Sequence, residues 1–323
     1  MDKPFGWAFL GAGGIAHSVA KRILGSGRHR LVSVYNRTGA RAEELAARYG
    51  ATACESIEKA VSADGVEGVY VNVTNNVHYD IALRALKCKK AVLLEKPVTT
   101  TRAQLAALID AAKENDVYFC EAMWSWFTDQ AAQLKKIVDG GELGQVKRAR
   151  ISLCLPIAFS GKNRLLRPEL AGGALLDLGI YPVTYAYRLF GMPKEIESRA
   201  SFKCGVDVAA DVIFKYDGFD VLVQAGIRSL RGVGESLEIV CERGKITSGA
   251  YHTGAKFKVR GEIKADCPKD KNAMLTQFDR VAGEIRGGAK ESAFVPLACS
   301  LDTMEILDTV RGQIGLKFPF ETE

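Results

Sequence analysis

In the first 120 residues, short continuous apolar runs alternate with amphipathic helical patterns. The helical patterns repeat apolar residues every three or four positions, as in Ile15, Val19 and Ile23 or in Leu105, Leu108 and Ala112. Uninterrupted apolar strands separated by such helices predict a parallel sheet covered on both faces. The apolar runs occupy residues 7–10, 31–35, 69–73, 91–94 and 117–120.

From Gln145 onward the period changes to two. Ala149, Ile151 and Leu153 alternate with Arg148 and Arg150, which predicts strands with one apolar and one polar face. We predict a mostly antiparallel sheet with one open face, followed by two helices near 275–285 and 301–310. The predicted fold is therefore α/β: a Rossmann-type, doubly wound parallel sheet in residues 1–121 and an α+β domain with an open sheet in residues 122–323. Similar alternation occurs around 196–203, 208–216, 219–227, 236–241 and 256–263.

Charge and cysteine content exclude several classes of function. The formal net charge of the 323 residues is +6, without the basic cluster that nucleic-acid binding requires, so we expect no nucleic-acid partner. The eight cysteines are scattered without a CxxC pair, and no signal peptide precedes the first strand, which predicts free thiols in the cytoplasm and no metal site. No apolar run approaches the roughly 20 residues that span a bilayer, so no membrane contact is expected.

The first strand ends in a glycine-rich turn, Gly11-Ala12-Gly13-Gly14-Ile15-Ala16. A strand, such a turn and a helix, in that order, form the setting of a dinucleotide-binding loop, whose glycines let the backbone approach a pyrophosphate at the helix N-terminus. A chance glycine turn is the alternative. The position of the motif at the first strand favours nucleotide binding.

The second strand is followed by Asn36-Arg37-Thr38 rather than by an acidic residue. Sites that prefer NAD usually place Asp or Glu here to bind the ribose 2′-hydroxyl, whereas a guanidinium suits a 2′-phosphate. The segment therefore predicts NADP as the cofactor, with NAD as the second choice. An ordinary surface arginine is the alternative.

Ligands of such sheets bind beyond the carboxyl ends of the strands, which draws attention to three further segments. Thr74-Asn75-Asn76 with His78 follows one strand, Glu95-Lys96-Pro97 the next, and Glu121-Ala122-Met123-Trp124 the last. Lys96 is restricted by the following proline, through a bond that can be cis, and can orient a substrate hydroxyl. Alternatively, Glu95 and Lys96 form a surface ion pair, and His78 packs at the start of its helix.

A second chemical signature lies in Gly172-Gly173-Ala174-Leu175-Leu176-Asp177-Leu178-Gly179-Ile180-Tyr181-Pro182. On one helix Asp177 and Tyr181 would share a face, where a phenol beside a carboxylate can exchange a proton with a substrate hydroxyl. A buried helix with a hydrogen-bonded Tyr and Asp is the alternative. Pro182 implies either a kink or a regular helix that begins near Gly179, and in the latter case the two side chains need not share a face.

These motifs together resemble the Gfo/Idh/MocA oxidoreductase family, over nearly the whole length. EAMW at 121–124 and RPEL at 167–170 before GGALLDLGIYP resemble the branch of dimeric dihydrodiol dehydrogenase and NADP-dependent D-xylose 1-dehydrogenase. The resemblance implies that Lys96 places and polarises the substrate, that Tyr181 is the general acid/base and that Asp177 is the substrate-side carboxylate. It also implies a homodimer. Where that branch commonly continues with arginine, phenylalanine and proline, this chain has Trp126-Phe127-Thr128-Asp129, and Asn75 replaces a common proline. The resemblance therefore does not by itself assign xylose or a diol as the substrate.

We therefore predict an NADP(H)-dependent oxidoreductase acting on a sugar, cyclic polyol or vicinal diol. The alternatives are reduction of a non-sugar carbonyl, a tightly bound cofactor that shuttles between two sugars, and a non-catalytic nucleotide-binding regulator. The predicted catalytic residues are Lys96, Tyr181 and Asp177. Predicted substrate contacts are Trp124, Phe127, Asp177 and Tyr181. Predicted cofactor contacts are Gly11, Gly13, Gly14, Ile15, Ala16, Asn36, Arg37, Thr38, Thr74, Asn75, Asn76, His78, Glu95 and Lys96.

Overall fold

The computed structural model describes residues 3–159, 163–227, 234–254, 256–260, 262–263 and 270–321. Its backbone contacts divide the chain into two compact units. The first contains the chain up to Phe127 together with Asn272–Leu301, and the second contains Thr128–Lys271 together with the chain from Asp302 onward.

The first unit contains a parallel sheet of six strands in the order β3-β2-β1-β4-β5-β6. Every residue of β1 is buried, as expected of a strand covered on both faces. This confirms the predicted Rossmann-type sheet, and the carboxyl ends of its strands share one edge. The strands are β1 (Phe5–Leu10), β2 (His29–Tyr35), β3 (Thr52–Cys54), β4 (Gly68–Val71), β5 (Ala91–Glu95) and β6 (Phe119–Ala122). The helices between them are α1 (Gly14–Leu24), α2 (Gly39–Tyr49), α3 (Ile57–Ser62), α4 (His78–Lys87) and α5 (Arg102–Glu114).

The second unit is built on a sheet whose eight described strands are ordered β14-β13-β12-β11-β7-β10-β9-β8. Its pairs are antiparallel except for β7 with β10. The strands are β7 (Val146–Cys154), β8 (Glu195–Lys203), β9 (Val206–Tyr216), β10 (Phe219–Gly226), β11 (Ser236–Cys241), β12 (Gly244–Ser248), β13 (Lys258–Val259) and β14 (Glu262–Ile263). The helices α6 (Asp129–Asp139) and α7 (Ile180–Phe190) also belong to this unit.

The two faces of this second sheet differ as the period-two pattern predicts. Ala149, Ile151 and Leu153 of β7 are buried on the side where α7 packs against β7 and β10, whereas Arg148 and Arg150 are exposed on the other side. The predicted open, mostly antiparallel sheet is therefore confirmed.

The last two helices, α8 (Ala273–Arg286) and α9 (Leu297–Ile314), follow the second sheet in the chain. The sequence pattern placed both in the domain 122–323, whereas residues 272–301 pack into the first unit. Phe278 of α8 explains the difference, because its ring lies 4.9 Å from the Trp7 ring and 5.1 Å from the Tyr70 ring, centroid to centroid. Such edge-on aromatic pairs, added to the apolar area they bury, fix the helix on β1 and β4.

Candidate functional site

The glycine loop of the first unit leaves room for a ligand backbone. Gly11 has φ +123°, and a Cβ there would lie 2.7 Å from the Asn72 carbonyl oxygen, so only glycine fits. By contrast, a Cβ on Gly13 or Gly14 would meet no atom within 4 Å. Gly14 begins α1, and no side chain caps that helix end, which leaves its first N–H groups available to an anion.

The two residues after these glycines have separate roles. Ile15 is 36% exposed beside the loop, whereas Ala16 is completely buried. A small residue at the position of Ala16 permits close packing of the helix on the sheet. Its contribution to cofactor binding would therefore be indirect, through the shape of the loop.

The segment after β2 is joined to the glycine loop through Asn36. The Asn36 Oδ1 accepts from the Ala12 N–H at 3.3 Å, and its Nδ2 donates to the Thr38 carbonyl at 3.0 Å. Arg37 and Thr38 are exposed, and Thr38 occupies the N-cap of α2 without a capping bond from its side chain. A guanidinium, a hydroxyl and a helix N-terminus thus adjoin, a combination suited to a phosphate. Arg41, which the sequence analysis did not select, is also exposed on the first turn of α2.

The residues after β4 form hydrogen bonds that shape their own loop. The Thr74 hydroxyl donates to Asn76 Oδ1 at 2.7 Å, and Asn75 is 6% exposed. His78 is buried, with Nδ1 2.8 Å from the Pro97 carbonyl oxygen and Nε2 3.2 Å from the Val73 carbonyl oxygen. The ring therefore joins this loop to the Lys96-Pro97 step, and any effect on a cofactor would act through that link.

Two buried carboxylates hold the backbone of the segment that contains Lys96, one at Lys96 itself and one at Val98. Glu95 accepts a hydrogen bond from the Tyr70 hydroxyl and a second, at 3.2 Å, from the Lys96 N–H. Glu121 accepts from the Val98 N–H at 3.2 Å, and burial raises the pKa of its carboxyl group. The Lys96–Pro97 bond is cis, and the Lys96 side chain is half-buried. The two oxygens of Glu95 accept from the Tyr70 hydroxyl and from the backbone, so this carboxylate is buried and hydrogen-bonded rather than exposed at the surface.

The chain geometry around Pro182 resolves the alternative left open by the sequence. Leu175–Gly179 forms a π-helical turn, and the regular helix α7 begins at Ile180. Proline has no N–H to donate to the fourth residue before it, and here it is only the third residue of α7, after a wider turn that relieves this demand. Asp177 thus lies in the π-helical turn and Tyr181 in the first turn of α7.

Asp177 and Tyr181 consequently have different neighbours. The Asp177 Oδ1 accepts from the Arg164 guanidinium at 2.7 Å, and the Asp177 side chain is 11% exposed while that of Arg164 is 46% exposed. The Tyr181 ring is 4.9 Å from the His252 ring, centroid to centroid, at an interplanar angle of 57°. The carboxylate and the phenol are therefore two polar groups at one helix start, each supported by a basic side chain.

His252 is itself held by a carboxylate. The Glu235 Oε1 accepts the His252 backbone N–H at 3.0 Å and lies 2.7 Å from His252 Nδ1. Sequence reasoning missed this pair because His252 follows Tyr181 by 71 positions, in a short 3-10 turn over Tyr251–Thr253. The one sequence signal for His252 was that histidine is rare in this chain, which has four.

Asp207 explains why residue 173, just before the π-helical turn, is a glycine. Gly173 has φ +115°, and a Cβ there would lie 2.1 Å from Asp207 Oδ1. The Asp207 Oδ2 accepts from the Leu175 N–H at 2.6 Å, which anchors the start of the π-helical turn. Burial raises the pKa of Asp207 to about 7. An aspartate within the otherwise apolar start of β9 was the sequence signal for this role.

The two aromatic residues predicted to contact substrate differ in exposure. Trp124 is half-buried in a 3-10 turn over Trp124–Phe127. Phe127 is completely buried and its ring lies 5.7 Å from that of Phe294. Phe127 therefore belongs to the core of the first unit, and we do not carry it into the proposed substrate site.

Three further observations bear on the class of site. Within the described ranges, no three His, Cys, Asp or Glu side chains lie together as metal ligands. The same part of the chain has no helix both long and apolar enough to cross a membrane. Every cysteine that the structure describes is a free thiol.

Two family models match the chain. The oxidoreductase family with an NAD-binding Rossmann fold, Gfo/Idh/MocA, matches residues 5–122, and the Gfo/Idh/MocA C-terminal domain matches residues 131–247. These matches confirm the family inferred from the motifs.

Similar proteins extend the comparison over nearly the whole chain. A scyllo-inositol 2-dehydrogenase (NADP(+)) of Bacillus subtilis is 30% identical, over 90% of this chain and 91% of its own. A trans-1,2-dihydrobenzene-1,2-diol dehydrogenase of Danio rerio is 28% identical, over 98% of this chain and 99% of its own. The fold resembles that of KijD10, a 3-ketoreductase of Actinomadura kijaniata solved with NADP and TDP-benzene, with a TM-score of 0.85 at 20% identity over 96% of this chain and 98% of that one. The chain belongs to the Gfo/Idh/MocA family of oxidoreductases.

Proposed function

We propose that this protein is an NADP(H)-dependent oxidoreductase that transfers hydride between the nicotinamide and a sugar, cyclic polyol or vicinal diol. One observation carries the proposal. At the carboxyl edge of the first sheet, Gly13 and Gly14 leave the start of α1 unobstructed, and Lys96 follows β5 at the same edge, where Glu95 accepts its backbone N–H. A nucleotide cradle and a lysine with a fixed backbone on one sheet edge suit a dehydrogenase rather than a purely structural protein.

The residues at that edge fit NADP. The space above Gly13 and Gly14 suits a pyrophosphate, and exposed Arg37 with Thr38 at the N-terminus of α2 suits a 2′-phosphate. The Bacillus subtilis relative is named for NADP(+), which supports the same choice. When bound, the nicotinamide supplies the hydride chemistry, and the chain supplies binding, orientation and proton transfer.

Proton transfer is assigned to Tyr181. In the oxidative direction its phenolate oxygen accepts the proton of the substrate hydroxyl as hydride leaves the carbon, and in the reductive direction the phenol returns it. Lys96 orients the reacting oxygen and stabilises its developing negative charge. Asp177, held by Arg164, accepts hydrogen bonds from a further hydroxyl of the substrate. Half-buried Trp124 provides an apolar surface for a ring.

The experiment is a comparison of NADP+ and NAD+ with D-xylose, D-glucose, inositols and trans-diols, by absorbance of the reduced nicotinamide. Turnover that prefers NADP+ with one of these hydroxyl compounds is the expected result. Tight NADPH binding without turnover on these compounds or on a broad carbonyl panel would overturn the proposal in favour of a nucleotide-binding regulator. Turnover on a non-sugar carbonyl alone would replace the substrate class.

We further propose that two chains associate through the open face of the second sheet, in the cytoplasm. On that face Arg150 donates to Gln224 at 2.8 Å, Gln224 donates to Asp211 at 2.7 Å, and Arg199 donates to the same carboxylate. Half-buried Leu222 and Ile213 lie on the same face, beside these hydrogen-bonded polar side chains. Apolar side chains bordered by charges of both signs are typical of interfaces between copies.

A further inference from the structure

Tyr181 is packed against an imidazole that has little freedom. The phenol is 5% exposed, and its ring lies 4.9 Å from that of His252 at 57°. Two rings at this distance and tilt restrict each other's rotation. A general acid/base requires such restriction, because an error of about 1 Å in the placement of a reacting group can cost roughly a hundredfold in rate.

The imidazole is in turn fixed by Glu235. A carboxylate only accepts hydrogen bonds, so the 2.7 Å contact with Oε1 places a proton on His252 Nδ1 and fixes the orientation of the ring. The same oxygen accepts the His252 backbone N–H, which fixes the turn as well as the ring. The side chains of His252 and Glu235 are 12% and 13% exposed, so water competes little for this bond.

Two other titratable groups of this neighbourhood stay neutral near pH 7. Burial raises the pKa of the Tyr251 phenol well above its usual range and that of the Cys154 thiol to about 11. The Tyr185 hydroxyl donates to the Tyr251 carbonyl at 3.1 Å. The charged pairs described on this side are Glu235 with His252 and Asp177 with Arg164.

We propose that His252, fixed by Glu235, is a positioning residue that holds the Tyr181 phenol for proton exchange with the substrate. The inference rests on the proposed role of Tyr181 and extends it to a carboxylate–imidazole–phenol series. The imidazole places a polar ring beside an almost completely buried phenol. Replacing it by an apolar ring changes the polarity next to the phenol, so the ionisation of Tyr181 reports whether the two rings interact.

The test compares H252F, E235Q and the control Y187F, which removes another tyrosine hydroxyl of α7, one that donates to Asp302 and not to the turn of His252. We expect H252F to lower kcat on the order of tenfold to a hundredfold with KM and NADPH affinity unchanged, and to move the limb of the kcat–pH profile that reports the ionisation of Tyr181. E235Q retains an oxygen that accepts both N–H groups and should keep most of kcat. Y187F should match the wild type in kcat and pH profile.

An H252F enzyme with wild-type kcat and pH profile would overturn the inference, as would an equal shift in Y187F. A second measurement does not need turnover. With tyrosines labelled at 13Cζ, the NMR signal of Tyr181 is identified by its loss in Y181F, and its titration should shift in H252F relative to the wild type. If the wild type turns over nothing, the proposed function fails while this titration still decides the role of His252. An unmoved titration rejects that role.

Discussion

Asp207 accepts a hydrogen bond from the Leu175 N–H at 2.6 Å and so caps the start of the helical segment that carries Asp177 and Tyr181. The bond is buried, and it connects Leu175, two residues after the glycine pair, to β9, which follows 32 positions later. A carboxylate at a helix start satisfies donors that the helix itself leaves unpaired. The positions of Asp177 and Tyr181 therefore depend on a residue that makes no contact with the substrate in our proposal.

The first prediction concerns this anchor. Asp207→Ala should lower the free energy of unfolding by roughly 2 kcal/mol, because a capping bond is lost and a buried N–H is left unpaired. Asp207→Asn keeps an oxygen acceptor and is the matched control. Urea denaturation followed by circular dichroism measures both. Equal stability of wild type and Asp207→Ala would contradict the anchoring role.

The second prediction concerns pH. The folded pKa of Asp207 is raised from 3.8 to about 7, so between these values the folded chain holds a proton that the unfolded chain has released. This contribution to stability is complete below pH 3.8 and is lost as the pH rises towards 7. Relative to Asp207→Asn, the wild type should lose up to about 4 kcal/mol across this window. Parallel stability curves of the two proteins would contradict the raised pKa.

The third prediction concerns cofactor choice. Arg37→Ala should lower kcat/KM for NADP+ by roughly tenfold to a hundredfold, because a charge-assisted hydrogen bond to a phosphate contributes about 1.5–3 kcal/mol. The value for NAD+, which has no 2′-phosphate, should stay unchanged. Arg48→Ala, at an exposed arginine in the last turn of α2, is the control. A uniform loss for both cofactors would reject the assignment of Arg37.

The fourth prediction concerns the chemical step. Tyr181→Phe and Lys96→Met should each lower kcat by roughly a hundredfold or more, since each removes a group that stabilises the transition state. NADPH binding, followed by fluorescence, should be retained in Tyr181→Phe. Lys90→Met, just before β5 at the opposite end of the strand from Lys96, is the control for the lysine. Wild-type turnover by Tyr181→Phe would remove that residue from the mechanism.

The fifth prediction concerns association. Leu222→Arg introduces a charge on the open face of the second sheet and should convert a dimer into a monomer in sedimentation at micromolar concentration, because an unpaired charge at an interface is costly to desolvate. Ala47→Arg introduces the same charge on exposed α2 and should leave the dimer intact. A wild type that sediments as a monomer would refute the proposed interface directly.

Local pattern was sufficient to predict most of the fold and part of the candidate site. The parallel strands follow from continuous apolar runs, and the loop around Gly13 follows from strand, turn and helix order. Pro182 showed where regular helix had to begin, although not that a π-helical turn would precede it.

The residues that sequence reasoning missed act through partners distant in the chain. The His252 ring lies beside that of Tyr181 although 71 positions separate the two residues. The Ser300 hydroxyl donates to Glu121 at 2.6 Å, across 179 positions. The role of Asp207 is visible only in the tertiary structure, where its carboxylate lies against Gly173. Period and spacing describe one element at a time, so pairings of this kind require the tertiary structure.

The return of α8 to β1 makes the first unit a discontinuous domain, interrupted by residues 128–271 of the second unit, which also takes up the chain from Asp302 onward. A fragment ending near residue 121 would leave Trp7 and Tyr70 without the Phe278 ring and the buried Glu121 without its Ser300 hydroxyl. Exchange of the second unit between relatives, by recombination or by engineering, therefore requires three junctions, near residues 127, 272 and 301. A chimera joined at a single point would inherit a helix whose aromatic contacts evolved for another sheet.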